Sequence, residues 1–354
     1  MTSMRTNSHG RSIGASVLVV LFVTLSLSVS AAGVDEAQES VSVYSHRHYE
    51  VDQRLYERFT EMTGIQVNVI NAGADELIER LSAEGERSPA DLLVTVDAGR
   101  LNRATEEGLL QPVRSAILEE RIPAYLRDAG GNWFGLTKRA RVIVASSERV
   151  SSQSIDGYED LADPRLRGRI VVRSSSNVYN QSLVASIVSA MGAESAAAWA
   201  SGLVGNFARE PQGNDRDQMK AVAAGIADIA VVNTYYLGLL ATSDNAEERR
   251  VAEQLTVVFP NQGDRGTHVN VSGAGVTAHA PNRDNAIRLL EFLVSDEAQA
   301  EYAAANFEYP VVAGVPVSNV VASWGTFTED TLPLTELGEL NTDAVRIMDI
   351  AGWK

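Results

Sequence analysis

Four tyrosines stand just past the ends of strand-like segments. Tyr49 follows Val41-Ser42-Val43-Tyr44-Ser45, which alternates as a strand does, and Tyr179 follows Ile170-Val171-Val172-Arg173. Tyr235 and Tyr236 follow residues 226–232, a short, apolar, β-branched run. In open α/β sheets, ligands bind beyond the carboxyl ends of the strands. The chain has ten tyrosines, and the other six have ordinary places. Tyr56 and Tyr302 fall in helical segments, Tyr44 in a strand, and Tyr125, Tyr158 and Tyr309 near proline or loop stretches. By itself, the pair Tyr235-Tyr236 reads as one core ring and one interface ring. Neighbours in an extended chain point to opposite faces. Both phenols can therefore reach one centre only if the chain turns at Thr234.

Phenols titrate near pH ~10, so a cluster of them has no use as charges without a strong Lewis acid. A hard trivalent cation is such an acid: it favours anionic oxygen and forces deprotonation on binding. Four phenolates and one neutral imidazole around Fe³⁺ would leave a local charge of about −1. Arg139 or Arg141, from the strand-like segment 139–145, could offset that charge, although both could equally lie on the surface. His46 and His48 permit a rival reading. Residues two apart on a strand share a face, and a His-x-His pair can bind Zn²⁺ or Cu²⁺. An exported metal-dependent hydrolase would follow from that pair. His268 and His279 read as structural.

The usual catalytic signatures are missing. No Gly-x-Ser-x-Gly, Walker A loop, Gly-x-Gly-x-x-Gly or His-Glu-x-x-His occurs, and no carboxylate pair stands out from an acidic background. An enzyme is not expected.

The elements that must position these residues alternate between strand and helix. Helical spacing covers 54–62, 75–84 and 100–107, closed by Gly64, Gly85 and Gly108, with strand-like segments at 65–70 and 91–96. After a strand at 139–145 comes a short helix over 158–163, stopped by Pro164. Next come a strand at 168–173 and helices at 181–191, 193–203 and 217–224. Residues 247–254 read as helix, 255–259 as extended and 269–276 as a strand, before helices at 284–295 and 298–306. This order predicts an α/β fold with a parallel, doubly wound sheet. No internal repeat or flexible linker separates two domains. The expectation is two lobes joined by crossing strands at 139–145 and 269–276.

The chain has 354 residues, 45% of them hydrophobic, enough for one large or two medium domains. Residues 1–32 read as a cleavable signal peptide. Arg5 and Arg11 precede an apolar stretch over 13–27, and Val29-Ser30-Ala31-Ala32 offers a cleavage site. A retained membrane anchor is the competing reading. With no cysteine, a lipidated cysteine at the cleavage site and any disulfide are excluded. The mature chain is expected to be soluble in a periplasm, without stable membrane insertion. Removing the two arginines of the leader leaves 28 basic against 46 acidic residues, a net charge of −18. Such a chain repels nucleic acid and anionic lipid.

Several stretches resemble periplasmic ferric-iron-binding proteins of iron ABC transporters, closest to their cyanobacterial-type (FutA-like) branch. They are Tyr44-Ser45-His46-Arg47-His48-Tyr49, Ser88-Pro89-Ala90-Asp91, Arg139-Ala140-Arg141-Val142-Ile143-Val144, Glu210-Pro211-Gln212-Gly213-Asn214-Asp215, Asn233-Thr234-Tyr235-Tyr236 and Val269-Asn270-Val271-Ser272-Gly273. The resemblance spans the mature chain in order. It implies a type II periplasmic-binding-protein fold, whose lobes take residues 40–140 with 266–315 and residues 141–265 with 316–354. It assigns Tyr179, Tyr235 and Tyr236 to the C-terminal lobe as ferric ligands, and His48 and Tyr49 to the N-terminal lobe. Arg139, Arg141 and His46 are expected around them. Transferrin-like relatives use one histidine, one glutamate, two tyrosines and a bound anion. The glutamate position falls here at about Val96, so direct five-ligand coordination is expected. The resemblance also implies a monomer that closes on Fe³⁺ and delivers it to an inner-membrane ABC permease. A binding protein for a polyamine, thiamine or an anion on the same fold is the alternative.

Overall fold

A computed structural model describes residues 39–151 and 155–354. The leader reading of residues 1–32 lies outside the described residues. In chain order the strands are β1 (Ser40–Ser45), β2 (Gln66–Asn71), β3 (Leu92–Thr95), β4 (Phe134–Ser146), β5 (Ile170–Val171), β6 (Ile229–Asn233), β7 (Leu255–Val258), β8 (Val269–Val276) and β9 (Tyr309–Pro310). The first helices are α1 (Glu50–Thr63), α2 (Ala74–Glu84), α3 (Ala98–Glu106), α4 (Ala116–Arg121), α5 (Val178–Met191), α6 (Ala193–Gly205) and α7 (Asp215–Ala223). Then come α8 (Thr234–Ala241), α9 (Ala246–Glu253), α10 (Arg283–Leu293), α11 (Asp296–Asn306), α12 (Asn319–Ala322), α13 (Thr335–Glu339) and α14 (Asn341–Ala351).

Local sequence explains the elements that carry the site. In α1, Val51, Leu55 and Phe59 recur every four residues and bury one face, and Gly64 at φ 77° ends the helix in the left-handed region. β6 is apolar up to its last residue, Asn233, and buried at all five positions. β5 is only two residues long, shorter than the expected strand over 168–173. The chain turns after Val172, because the carbonyls of Arg173 and Ser174 are taken by the Asn180 side chain at 2.9 and 3.1 Å. The helix expected at 158–163 is a 3₁₀ turn over Glu159–Ala162.

The strands form one sheet in the order β2-β1-β3-β8-β4-β6-β5, with β7 and β9 paired to β4. The purely parallel sheet expected from strand–helix alternation is a mixed one. The pairs β1–β2, β1–β3 and β5–β6 are parallel, whereas every pair made by β4 or β8 is antiparallel. Parallel neighbours need a crossover between them. β4 and β8 instead run into the sheet directly and reverse its sense.

β4 decides the architecture. From Phe134 to Ala140 it pairs with β8, ending with Ala140 opposite Val269. From Arg141 it pairs with β6, starting with Arg141 opposite Asn233, and β7 lies on its other edge. The changeover falls inside the expected crossing segment at 139–145. β8 starts at the same point, and the Arg141 amide donates to the His268 carbonyl at 3.0 Å. The fully buried Tyr158 hydroxyl donates to the Arg141 carbonyl.

Beyond the expected elements, α4 and the helices after residue 311 complete the fold. α14 packs on α5 and α6, and α13 packs on α3 and α5. The Trp353 indole N–H reaches the Arg173 carbonyl at 2.9 Å.

Candidate metal centre

The tyrosine pair opens α8. Asn233 is still extended (φ −84°, ψ 141°), and the helix begins at Thr234, as the convergence of both rings requires. Thr234 fixes that turn: its hydroxyl accepts from the Ala140 amide at 3.3 Å, at the β4 changeover. Tyr235 and Tyr236 then sit in the first turn with ring centroids 4.2 Å apart and planes at 33°. Tyr235 is buried, and Tyr236 is half-buried.

Tyr179 lies in the first turn of α5. Asn177 caps that helix, its side-chain oxygen accepting from the Tyr179 amide at 3.2 Å. The Tyr179 and Tyr235 hydroxyl oxygens are 3.2 Å apart. Tyr49 is the residue before α1, and its amide donates to Asp52 Oδ2 at 3.2 Å. Its ring meets Tyr235 edge-on, with centroids 6.4 Å apart. All four phenols thus come from the starts of three helices, where unpaired N–H groups and the helix dipole favour negative charge.

His48 is exposed and stacks on Tyr49 at 5.7 Å, with Nδ1 3.3 Å from the His46 carbonyl. His46, His48, Tyr49, Val96, Tyr179 and Tyr236 line a cavity of about 380 Å³, together with Arg173 and Arg216. Val96 stands where the resemblance puts a glutamate in other relatives, and no carboxylate lines the cavity. The His-x-His reading loses its premise, because residues 46–49 lie past β1 rather than in a strand. Among the described residues, no group of three or more His, Cys, Asp or Glu side chains is arranged to hold a metal ion. Donors for a hard cation here are phenolic.

Both expected arginines are buried rather than on the surface. The guanidiniums of Arg139 and Arg141 lie 5.2 and 5.9 Å from the Tyr179 ring centroid, and Arg173 adds a third at 5.4 Å. Arg141 is held through its two terminal nitrogens, to Asp215 Oδ2 at 2.8 Å, Asn180 Oδ1 at 2.8 Å and Asn233 Oδ1 at 3.2 Å. Arg173 lies 3.6 Å from the other Asp215 oxygen. Arg139 donates to the Val96 carbonyl. Near Tyr49, Arg47 is held by Asp52 at 3.0 Å and Glu308 at 3.1 Å, with its guanidinium 5.1 Å from the Tyr49 ring. The roles of Arg173, Asp215 and Arg47 escaped sequence reasoning. Two arginines flanking a candidate ligand at a strand end were the only available hint.

Burial governs the protonation of this cluster. It pushes Tyr49 up to about 12, with Tyr179 and Glu308 adding to the effect and Arg47 opposing it. Burial also holds Tyr235 and Tyr236 well above the ordinary phenol range, reinforced by the neighbouring tyrosines. His46 is held below its usual value by burial and by His48 beside it. Without a cation Tyr49, Tyr235 and Tyr236 are held neutral, and a bound cation must ionise them.

The approach of α8 depends on Gly238, because a Cβ there would lie 2.5 Å from the Phe307 ring. Gly238→Ala should lower stability by about 1–3 kcal/mol through overpacking. Urea unfolding checks the cost, and an unchanged midpoint would mean that α8 shifts freely.

Residues 54–329 match the model of the bacterial extracellular solute-binding protein family. The chain is 55% identical over 317 residues to iron uptake protein A1 of Synechocystis, covering 90% of this chain and 88% of that one. It is 28% identical to the major ferric iron-binding protein of Neisseria meningitidis, across 93% of this chain and 97% of the relative. Among solved structures, the Trichodesmium protein described as IdiA/FutA in complex with iron and citrate superposes with a TM-score of 0.87 at 51% identity, covering 89% of this chain and all of that one. The ferric binding protein of Campylobacter jejuni gives 0.85 at 44%, with the same coverage. These structures share the type II periplasmic-binding-protein fold. By this whole-chain similarity, the chain belongs to the bacterial extracellular solute-binding protein family, in the branch of the iron uptake proteins.

Proposed function

We propose that this chain is a periplasmic carrier of Fe³⁺ that uses phenolate ligands and serves an inner-membrane ABC permease. One observation carries the reading: four phenols from three helix starts lie together, Tyr49, Tyr179 and Tyr236 lining a cavity without carboxylates and Tyr235 in contact with all three. Tyr49, Tyr179, Tyr235 and Tyr236 bind the ion as phenolates, and His48 is the fifth ligand. Arg139 and Arg141 offset the charge beside Tyr179, and His46 borders the site. The relatives named for ferric iron and iron uptake support this cargo. Catalysis is not part of the reading. The lack of carboxylates in the cavity disfavours a polyamine, which needs them as partners.

The ligands divide between two lobes, residues 40–140 with 266–315 and residues 141–265 with 316–354, and closure brings them together. The carrier acts as a monomer. A leader at residues 1–32 exports it.

Adding ferric iron to the purified chain should produce a phenolate-to-iron charge-transfer band in the visible. A colourless, iron-free protein under iron-replete conditions would sink the proposal.

Loading must also depend steeply on pH. Each phenol ionised on binding releases one proton, so affinity at fixed free Fe³⁺ rises with pH while the solution stays below that phenol's titration range. With Tyr49 pushed up to about 12 and Tyr235 and Tyr236 raised further, all of pH 5–8 lies on that slope. Four phenols give up to about four decades of affinity per pH unit, and proton release measured by calorimetry in two buffers gives the count. Release of fewer than two protons would exclude the four-phenolate site.

A further inference from the structure

Tyr179 also lines a second and much smaller chamber. Its walls are Arg139, Arg141, Tyr179, Asn233, His268 and Asn270, around a cavity of about 10 Å³. Each of the two arginines and both asparagines is at least nine-tenths buried. Three of these side chains carry a buried nitrogen with no protein acceptor: Arg139 Nη1, Arg141 Nε and Asn233 Nδ2. All three are hydrogen-bond donors, and two belong to guanidiniums.

The wall's side-chain oxygens are already engaged. Asn233 Oδ1 accepts from Arg141, Asn270 Oδ1 accepts from the amides of Ala98 and Val271, and the Tyr179 hydroxyl pairs with Tyr235. A water placed here could accept from the donors but would find only a ring nitrogen of neutral His268 to receive its own hydrogens. Charge points the same way. Arg139, Arg141 and Arg173 surround Tyr179, and Asp215 is the one carboxylate that pairs with any of them among the described residues. An unpaired buried guanidinium costs several kcal/mol unless a counter-charge reaches it. His268 adds no positive charge, since burial and the nearby Arg139 and Arg141 hold it down at about 3.

We propose that this chamber is a binding site for one small monatomic anion, chloride being the natural occupant, which takes the free N–H groups of Arg139, Arg141 and Asn233 and holds the guanidinium of Arg139 over the Tyr179 ring. The site has room for a single-atom anion and excludes sulfate or a carboxylate. It does not depend on iron binding in the neighbouring cavity.

The test uses the full, iron-free chain. Melting at one ionic strength in sodium chloride, bromide, sulfate and gluconate should give a Tm higher by about 2 °C or more in the two halides, saturating with concentration. Arg139→Met should abolish the difference between salts. Crystals of the unsubstituted protein grown in bromide should carry an anomalous peak inside the chamber, whether or not the variant folds. Equal melting in all four salts, or a chamber holding only a water with no bromide signal, overturns the proposal. A halide effect on Tm without that peak means surface binding and overturns it too. Since iron is absent throughout, this outcome is independent of the charge-transfer titration.

Discussion

Tyr235→Phe should remove most of the ferric charge-transfer band and weaken iron binding by more than about 100-fold, while leaving the iron-free fold nearly as stable as before. The affinity figure starts from what the loss of a partner outside the ligand shell costs, 10–100-fold, which loss of a ligand should exceed. Tyr235 is the right position because it is the hub of the cluster. Its hydroxyl lies 3.2 Å from that of Tyr179, and its ring neighbours both Tyr49 and Tyr236. Stability should move by no more than about 1 kcal/mol, the net worth of one hydrogen bond. Tyr309→Phe is the matched control. That buried hydroxyl has no protein partner and lies in the contact with Phe327, outside the cluster. Equal loss of colour in both variants would show general disruption rather than loss of a ligand. Full colour in Tyr235→Phe would remove it from the ligand set.

The second large effect is structural. Arg141→Met should cost about 3–5 kcal/mol, because it strands Asp215 without its main counter-charge in a fully buried position. Asp215 also accepts from the Asn233 amide at 2.8 Å, so the loss reaches the residue that ends β6 before the tyrosine pair. Adding Asp215→Asn to Arg141→Met should recover part of the loss, since the buried charge disappears along with its partner. Urea unfolding of both single variants and the double variant measures this coupling. Strict additivity would mean that the pair contributes nothing specific.

The sequence made some of this legible and hid the rest for physical reasons. The tyrosine pair could be read because an apolar β-branched run ended abruptly beside it, and its adjacency forced a turn at Thr234. Tyr49 and Tyr179 could be read from strand ends alone. The guanidinium frame could not. Arg141 and Asp215 are 74 positions apart, and nothing local marks their pairing. Arg173 looked like the last residue of a strand, but the Asn180 side chain draws the backbone out of the sheet there. Strand direction was also invisible, since alternation of strand and helix says nothing about β4 and β8 running against their neighbours. The helices after residue 311 are short and spaced by irregular chain, so no long periodic stretch announced them.

The point where β4 changes partners has a mechanical meaning. Arg139 and Arg141 are two residues apart and attend the same phenol, yet they answer to different frames. Arg139 is opposite Asn270 in β8, whereas Arg141 is opposite Asn233 in β6 and bound to Asn180 of α5, the helix that carries Tyr179. If the two parts of the sheet pivot at Ala140, Arg141 must travel with Tyr179 and Arg139 must stay behind. Such a pivot acts as a differential gear, withdrawing one of two counter-charges from the same ring. The grip on a phenolate-bound cation would then be set by the angle between the two parts of the sheet, and not only by the distances between ligands.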